Sequence, residues 1–406
     1  MSHDFHSMRR LPPYVFAEVN SLMARARAAG EDIIDFGMGN PDQPPPRHVI
    51  DKLTETLSNP RVHRYSTSRG IPGLRRAVAA YYDRRFAVEL DPESEVIVTL
   101  GSKEGLANLC QAITSPGDII LVPNPSYPIH AFGFIIAGAA IRSIPVETDP
   151  AAFLQHLERA VAHSVPKPSA LVLNFPSNPT AKVVDLDFYA AVVDFCRRHE
   201  IYVISDLAYA EVYFEGAPPP SILEVPGGRE IAVEFTSLSK TYSMPGWRIG
   251  FCAGNRNLIR ALGRMKSYLD YGAFTPIQVA ATAALNGDQA CIEEMRQRYR
   301  ERRDVLVDGL AAAGWHIPSP PATMFAWVPL PPAFESLGSL GFAKLLLERA
   351  KVAVSPGLGF GEHGEGHLRF ALVENRQRIR QACRNIRAFL NESATEPEAA
   401  RRAAEG

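Results

Sequence analysis

Between about residue 90 and residue 255 the chain alternates short unbroken apolar runs with longer stretches of helical period. The runs are EVIVTL, DIILVP, ALVLNF, IYVIS, AVEFTSL and GFCAG. β-Rich runs without polar alternation predict strands covered on both faces, and the helical segments between them predict the crossovers of a mainly parallel sheet. From about residue 291 the pattern changes to a charged helical run, EEMRQRYRERRDVLVDGLAAAG, and then to separate strand and loop signals. This change predicts a second, smaller unit that the N-terminal segment joins. At 406 residues a large domain with a companion is the expected size class. The expected division is an N-terminal arm over 1–45, a large α/β domain over 46–290, a small C-terminal domain over 291–392 and a disordered tail over 393–406. That tail belongs to ESATEPEAARRAAEG, the one low-complexity stretch.

The ends of the apolar runs carry polar clusters. EVIVTL is followed by Gly101-Ser102-Lys103, ALVLNF by Pro176-Ser177-Asn178-Pro179, IYVIS by Asp206-Leu207-Ala208-Tyr209, and AVEFTSL by Ser239-Lys240. Ligands of open α/β sheets sit outside the carboxyl ends of the strands, so these four clusters are predicted to converge on one pocket.

Composition narrows the possible partners. With 43 basic against 44 acidic residues, no general attraction to nucleic acid or to an acidic membrane is expected. Cys110, Cys196, Cys252, Cys291 and Cys383 are odd in number and lack any C-x-x-C, so they read as free thiols of a reducing cytoplasm rather than a disulfide frame or zinc site. The N-terminus lacks a signal-peptide core, and no window reaches the ~18 uninterrupted apolar residues of a membrane span, so a soluble cytoplasmic protein is expected. The histidines form no H-E-x-x-H-like pair, and no metal is expected. Gly357-Leu358-Gly359-Phe360-Gly361 resembles a dinucleotide loop only loosely, since its spacing is wrong and no amphipathic helix follows.

The four clusters suit one kind of chemistry. A pyridine cofactor that activates an amino acid needs an amine for its aldehyde, an acid beside its ring nitrogen, donors to its phenolic oxygen and a cradle for its phosphate. Lys240 follows an apolar strand in SLSKTYSMPGWRIG, flanked by hydroxyls, and Arg248 stands eight residues on, placed to grip a phosphate bidentately. Asp206 ends an apolar strand, where a carboxylate is costly unless it meets a cation such as a protonated ring nitrogen. Tyr209 and Asn178 can both reach a phenolic oxygen. Ser102 and Lys103 begin a predicted helix whose free N–H groups make an anion site, and Tyr127 offers a face for stacking on the ring. Taken singly, Asp206 and Ser102 would read as helix caps, Asn178 as a turn former and Tyr127 as packing; their company favours the functional reading.

With these residues in place, the chain resembles the class I/II aminotransferases, fold-type I enzymes of pyridoxal 5'-phosphate, and within them the bacterial glutamate–pyruvate (alanine) enzymes. RLPPYVF, EDIIDFGMGNPD, YSTSRGIPGLRRA, TLGSKEGLA, VPNPSYPIH, FPSNPTA, SDLAYA, SLSKTYSMPGWRIG and SPGLGFGEHGEGHLRFALVEN carry the likeness. The resemblance implies an α/β large domain with a mostly parallel central sheet flanked by helices, plus a smaller α+β domain formed by the N- and C-terminal segments. It also implies that Lys240 is the imine lysine and proton shuttle, and that Ser102, Lys103, Ser237, Ser239 and Arg248 surround the phosphate. Tyr65 would reach the neighbouring subunit's phosphate in a homodimer. Arg369 would clamp the substrate's α-carboxylate, with Gly39 and Tyr14 lining the substrate side.

The activity so implied is amino transfer between L-alanine/pyruvate and L-glutamate/2-oxoglutarate in a ping-pong cycle. One site must then accept both a methyl and a distal carboxylate, which calls for a retractable cation; Arg69 and Lys103 are the candidates. Rival readings are an aminotransferase for diaminopimelate, methionine, branched or aromatic substrates, and a carbon–sulfur lyase on the same fold. A ligand-sensing regulator domain is a further rival, disfavoured because no basic DNA-binding module is attached.

Overall fold

The computed structural model of the chain describes residues 5–13 and 15–395. In chain order its strands are β1 (Ile34–Asp35), β2 (Val96–Thr99), β3 (Ile119–Asn124), β4 (Ala140–Pro145), β5 (Ala170–Leu173), β6 (Tyr202–Asp206), β7 (Ala232–Ser237), β8 (Gly250–Gly254), β9 (Phe325–Pro329), β10 (Val352–Ala353), β11 (Ser355–Pro356) and β12 (His367–Ala371). The six apolar runs fold as β2, β3, β5, β6, β7 and β8. They belong to a seven-stranded sheet of order β2-β8-β7-β6-β5-β3-β4. Only β8 runs against its neighbours, so the carboxyl ends of β2, β3, β5, β6 and β7 share one edge.

Every residue of β2, β5 and β7 is buried, as runs without alternation require when helices cover both faces. Successive side chains enter different cores: Val96, Val98, Leu171 and Leu173 join one apolar cluster, whereas Ile97, Ala170, Val172, Val233 and Phe235 join the other. The seventh strand, β4, was not foreseen. It lies at the sheet margin, paired only with β3, and its AIRSIP sequence keeps Arg142 and Ser143 partly in solvent, so no apolar run marks it.

The smaller α+β part joins the two ends of the chain. β1 pairs in parallel with β10, matching Ile34 to Val352, and β12 lies antiparallel between β11 and β9. Helices Ala290–Ala311 and Arg376–Thr395 pack on each other behind these strands. Leu22, Met23 and Ala26 of helix Phe16–Ala28 lie on a small core of Ile33, Leu347 and Ala353. Helix Arg376–Thr395 carries regular structure through the first residues of the expected tail, and 396–406 lie outside the described residues.

Candidate active site

A cavity of about 610 Å³ opens beyond the shared carboxyl edge, closed on its other side by β12, the β10–β11 segment and helix Phe16–Ala28. Every described residue of the sequence-predicted set except Tyr65 and Arg69 lines it. Tyr14 lies outside the described residues.

Ser237 closes β7, and its hydroxyl accepts the N–H of Ser239 at 3.2 Å, starting the single turn Leu238–Thr241. That turn carries Lys240, half-buried in the cavity wall, whose Nζ donates to the Gly39 carbonyl at 2.7 Å. Desolvation of the ammonium, followed by the charges of Arg369 and Arg248, lowers the Lys240 pKa from 10.5 to about 8. A lysine so placed is partly uncharged near neutrality and can act as nucleophile and as base.

Asp206 closes β6 and is buried. Its Oδ2 lies 2.9 Å from Nε2 of His130, and its Oδ1 accepts the Ala208 N–H at 3.1 Å. The Asn174 side chain donates to the Asp206 carbonyl at 2.8 Å and accepts the Asn178 N–H at 2.8 Å, locking two strand ends together. Neither His130 nor Asn174 was foreseen. Asn174 carried a usable signal, the one polar residue of the ALVLNF run, set directly after the strand; His130 carried only its place three residues beyond Tyr127. Burial holds the Tyr209 phenol well above its usual range, which keeps it a hydrogen donor.

Arg248 adopts a left-handed backbone (φ 54°), which is strained for a non-glycine residue and turns its guanidinium back toward the strand ends. It donates to the carbonyls of Pro245 at 2.7 Å and Leu100 at 3.3 Å. Gly101, at φ 84°, has no Cβ because the Arg248 guanidinium occupies that space. Ser102 then opens helix Ser102–Ile113, whose first N–H groups face the same region. Lys103 places its ammonium 5.8 Å from the ring centre of Tyr127.

Arg369, on β12, is buried across the cavity. It donates to Asn178 Oδ1 and to the Gly37 carbonyl, each at 2.9 Å, and to Ser355 Oγ at 3.3 Å. Its guanidinium carbon lies 4.1 Å and 4.6 Å from the ring centres of Phe325 and Phe360, a cation–π sandwich that fixes its plane. Sequence reading missed both aromatics, and Phe360 comes from the glycine-rich stretch dismissed as a dinucleotide loop. Gly39 has Phe325 where a side chain would begin, which explains a glycine beneath Lys240.

Two expected residues stand elsewhere. Tyr65 is 86% exposed on the outer surface, its ring 4.8 Å from that of Tyr271. Arg69 does not serve this chain's cavity: its guanidinium donates to the carbonyl of Glu93, ahead of β2 and therefore toward the opposite edge of the sheet.

The class I and II aminotransferase family model matches residues 31–386. The chain belongs to that family. Among its relatives, this aminotransferase is 65% identical over 388 residues to AatC of Rhizobium meliloti (strain 1021), covering 96% of each chain. It is 55% identical over 385 residues to the glutamate-pyruvate aminotransferase AlaC of Escherichia coli (strain K12), covering 95% of this chain and 93% of that one. Among solved structures it superposes on substrate-bound BacF from Bacillus subtilis with a TM-score of 0.90 and 35% identity, over 96% of this chain and 98% of the other. Among the described residues of this aminotransferase, no helix is long and apolar enough to cross a membrane, and all five cysteines are free thiols.

Proposed function

We propose that this aminotransferase uses pyridoxal 5'-phosphate to move amino groups between L-alanine/pyruvate and L-glutamate/2-oxoglutarate. The observation that carries the reading is the Lys240 amine, lowered to about 8, sharing one cavity with the buried carboxylate of Asp206 and the aromatic-braced fork of Arg369. Similarity to AlaC supports the substrate pair.

The donor set fits the cofactor. Lys240 supplies the amine for its aldehyde. Asp206, held by His130 and the Ala208 N–H, supplies the acceptor for a ring N–H, while Tyr209 and Asn178 supply donors to the phenolic oxygen. Ser102, Lys103, Ser237, Ser239 and Arg248 supply the phosphate cradle, and the Arg248 guanidinium fills the space that a Cβ on Gly101 would need. Tyr127 supplies the stacking face. When bound, the cofactor withdraws electrons from the substrate's Cα and so acidifies its proton.

The remaining steps belong to this chain's residues. Arg369 releases Asn178 Oδ1 and takes the α-carboxylate bidentately, orienting Cα toward Lys240, with Gly39 lining the same cavity. Lys240 Nζ takes the Cα proton and delivers it one position away, acting as base and then as acid. Tyr65 completes the phosphate cradle of the neighbouring subunit in a homodimer, which operates in the cytoplasm. Half-reaction spectra with a panel of amino acids test the reading. Alanine and glutamate should both change the cofactor absorbance, borohydride should fix the cofactor on Lys240, and Lys240→Ala should abolish turnover. A colourless protein with no adduct at Lys240 would refute it.

A further inference from the structure

We infer that Arg27 is the cation that receives the distal carboxylate of dicarboxylic substrates, leaving Asp35 to do so and returning to it when the substrate ends in a methyl. This rests on the alanine/glutamate reading above and names the residue that lets one site serve both.

The cavity is lined by Arg27, Lys103, Lys240, Arg248 and Arg369 as cations. Lys240, Arg248 and Arg369 have roles fixed by their surroundings. Lys103 follows Ser102 and points its ammonium at Tyr127, toward the phosphate cradle. Arg27, in the last turn of helix Phe16–Ala28, stands on the substrate side. Its Nη2 lies 3.3 Å from Asp35 Oδ2. The other oxygen, Asp35 Oδ1, accepts the Gly37 N–H at 2.8 Å, and the Gly37 carbonyl accepts Arg369 Nη2 at 2.9 Å. Asp35 is thus anchored one residue from the α-carboxylate clamp, and Arg27 is the partner free to move.

The energetics favour exchange. The pair meets through one long contact, with side chains 48% and 21% exposed, and such contacts contribute little. A substrate carboxylate can offer two oxygens to the guanidinium fork, a better match than the single contact with Asp35. With alanine or pyruvate, Arg27 keeps Asp35 as counter-ion, so no unpaired charge faces the methyl. Phe16, Met23 and Met38 supply an apolar wall beside it that suits either the methyl or the methylenes of glutamate.

The test compares Arg27→Met, Arg27→Lys and Lys103→Met holoenzymes in both half-reactions, and measures glutarate and propionate binding by calorimetry. In Arg27→Met, KM for glutamate and 2-oxoglutarate should rise about tenfold or more, while KM for alanine and pyruvate changes by less than about twofold. Glutarate binding should weaken in step and propionate binding should not, with Arg27→Lys recovering part of the loss. Equal losses for both substrate types, no loss for either, or a selective loss in Lys103→Met alone would overturn the inference. If the wild-type enzyme turns over neither substrate pair, the activity reading fails, and the glutarate-to-propionate contrast still decides the role of Arg27.

Discussion

A lysine ammonium half-buried beside two guanidinium groups is less stable than one in water, and at Lys240 this has a direct chemical consequence. Its pKa of about 8 against an ordinary 10.5 means that capture of an aldehyde should rise as pH climbs through about 8 and then level off. Reductive labelling of the apoprotein at Lys240, followed by peptide mapping across pH 6 to 11 (roughly the span set by these two values), reads the midpoint. A midpoint near 10.5 would contradict the assigned environment. The folded chain also binds fewer protons than the unfolded chain between these two values. Stability contributed by this group therefore rises with pH across that window and is fully lost once pH falls through the folded value of about 8. Arg369→Lys keeps the charge but loses the fork and its stacking, so each charge-assisted bond forfeited costs about 1.5–3 kcal/mol, and KM for both amino acids should rise roughly ten- to a hundredfold. Steady-state kinetics on alanine and glutamate check it, and unchanged KM values would remove Arg369 from substrate binding. Lys240 and Asp206 were legible because charged residues seldom end buried strands. His130 was not, because its meaning depends on an acid 76 positions away.

Elements meet at Glu211, two residues beyond Tyr209. Its buried carboxylate takes Arg85 at 3.1 Å, Arg296 at 2.6 Å and the Tyr81 hydroxyl at 2.8 Å. Helix Pro72–Phe86 and helix Ala290–Ala311 are thereby fastened to the turn that carries Tyr209, so the long helix leading into the smaller α+β part is keyed to the Tyr209 wall of the cavity. Removing the carboxylate leaves the largely buried Arg85 guanidinium without its counter-charge and Arg296 with only the exposed Glu293 at 3.2 Å. Glu211→Ala should cost about 3–5 kcal/mol of stability, seen as a lowered denaturant midpoint at unchanged slope. No change in midpoint would show that the cluster contributes nothing. Strands buried on both faces announced themselves as apolar runs, whereas β4 did not, and the reversal of β8 followed from pairing rather than from its sequence.

At the scale of the whole molecule, Tyr65, Tyr268, Leu269, Tyr271 and Phe274 are exposed, and a patch of this kind is expected to be covered by another chain. Covering by a second copy accounts for a tyrosine predicted to touch a phosphate yet standing outside its own cavity. Two inactive variants should then complement each other. Refolded together in equal amounts, Tyr65→Ala and Lys240→Ala should regain roughly a quarter of wild-type activity, since half the dimers are mixed and each holds one intact site. Sedimentation should give twice the chain mass. A monomer, or no recovery on mixing, would show that Tyr65 acts in no neighbouring site.

Residue order alone was enough to mark the six doubly covered strands, because burial on both faces requires uninterrupted apolar runs, and to mark Ser102, Asn178, Asp206 and Lys240, because polar groups just past strand ends fall on one edge. Only the tertiary structure decided which cation faces the substrate. Arg69 and Arg27 are equally flexible and equally charged in sequence. One is drawn to the carbonyl of Glu93 on the far edge of the sheet, and the other is brought by helix packing beside an aspartate that the chain folds back to anchor. A long side chain's partner is set by which backbone and carboxylate oxygens the fold places within its reach, and residue order carries no record of that distance.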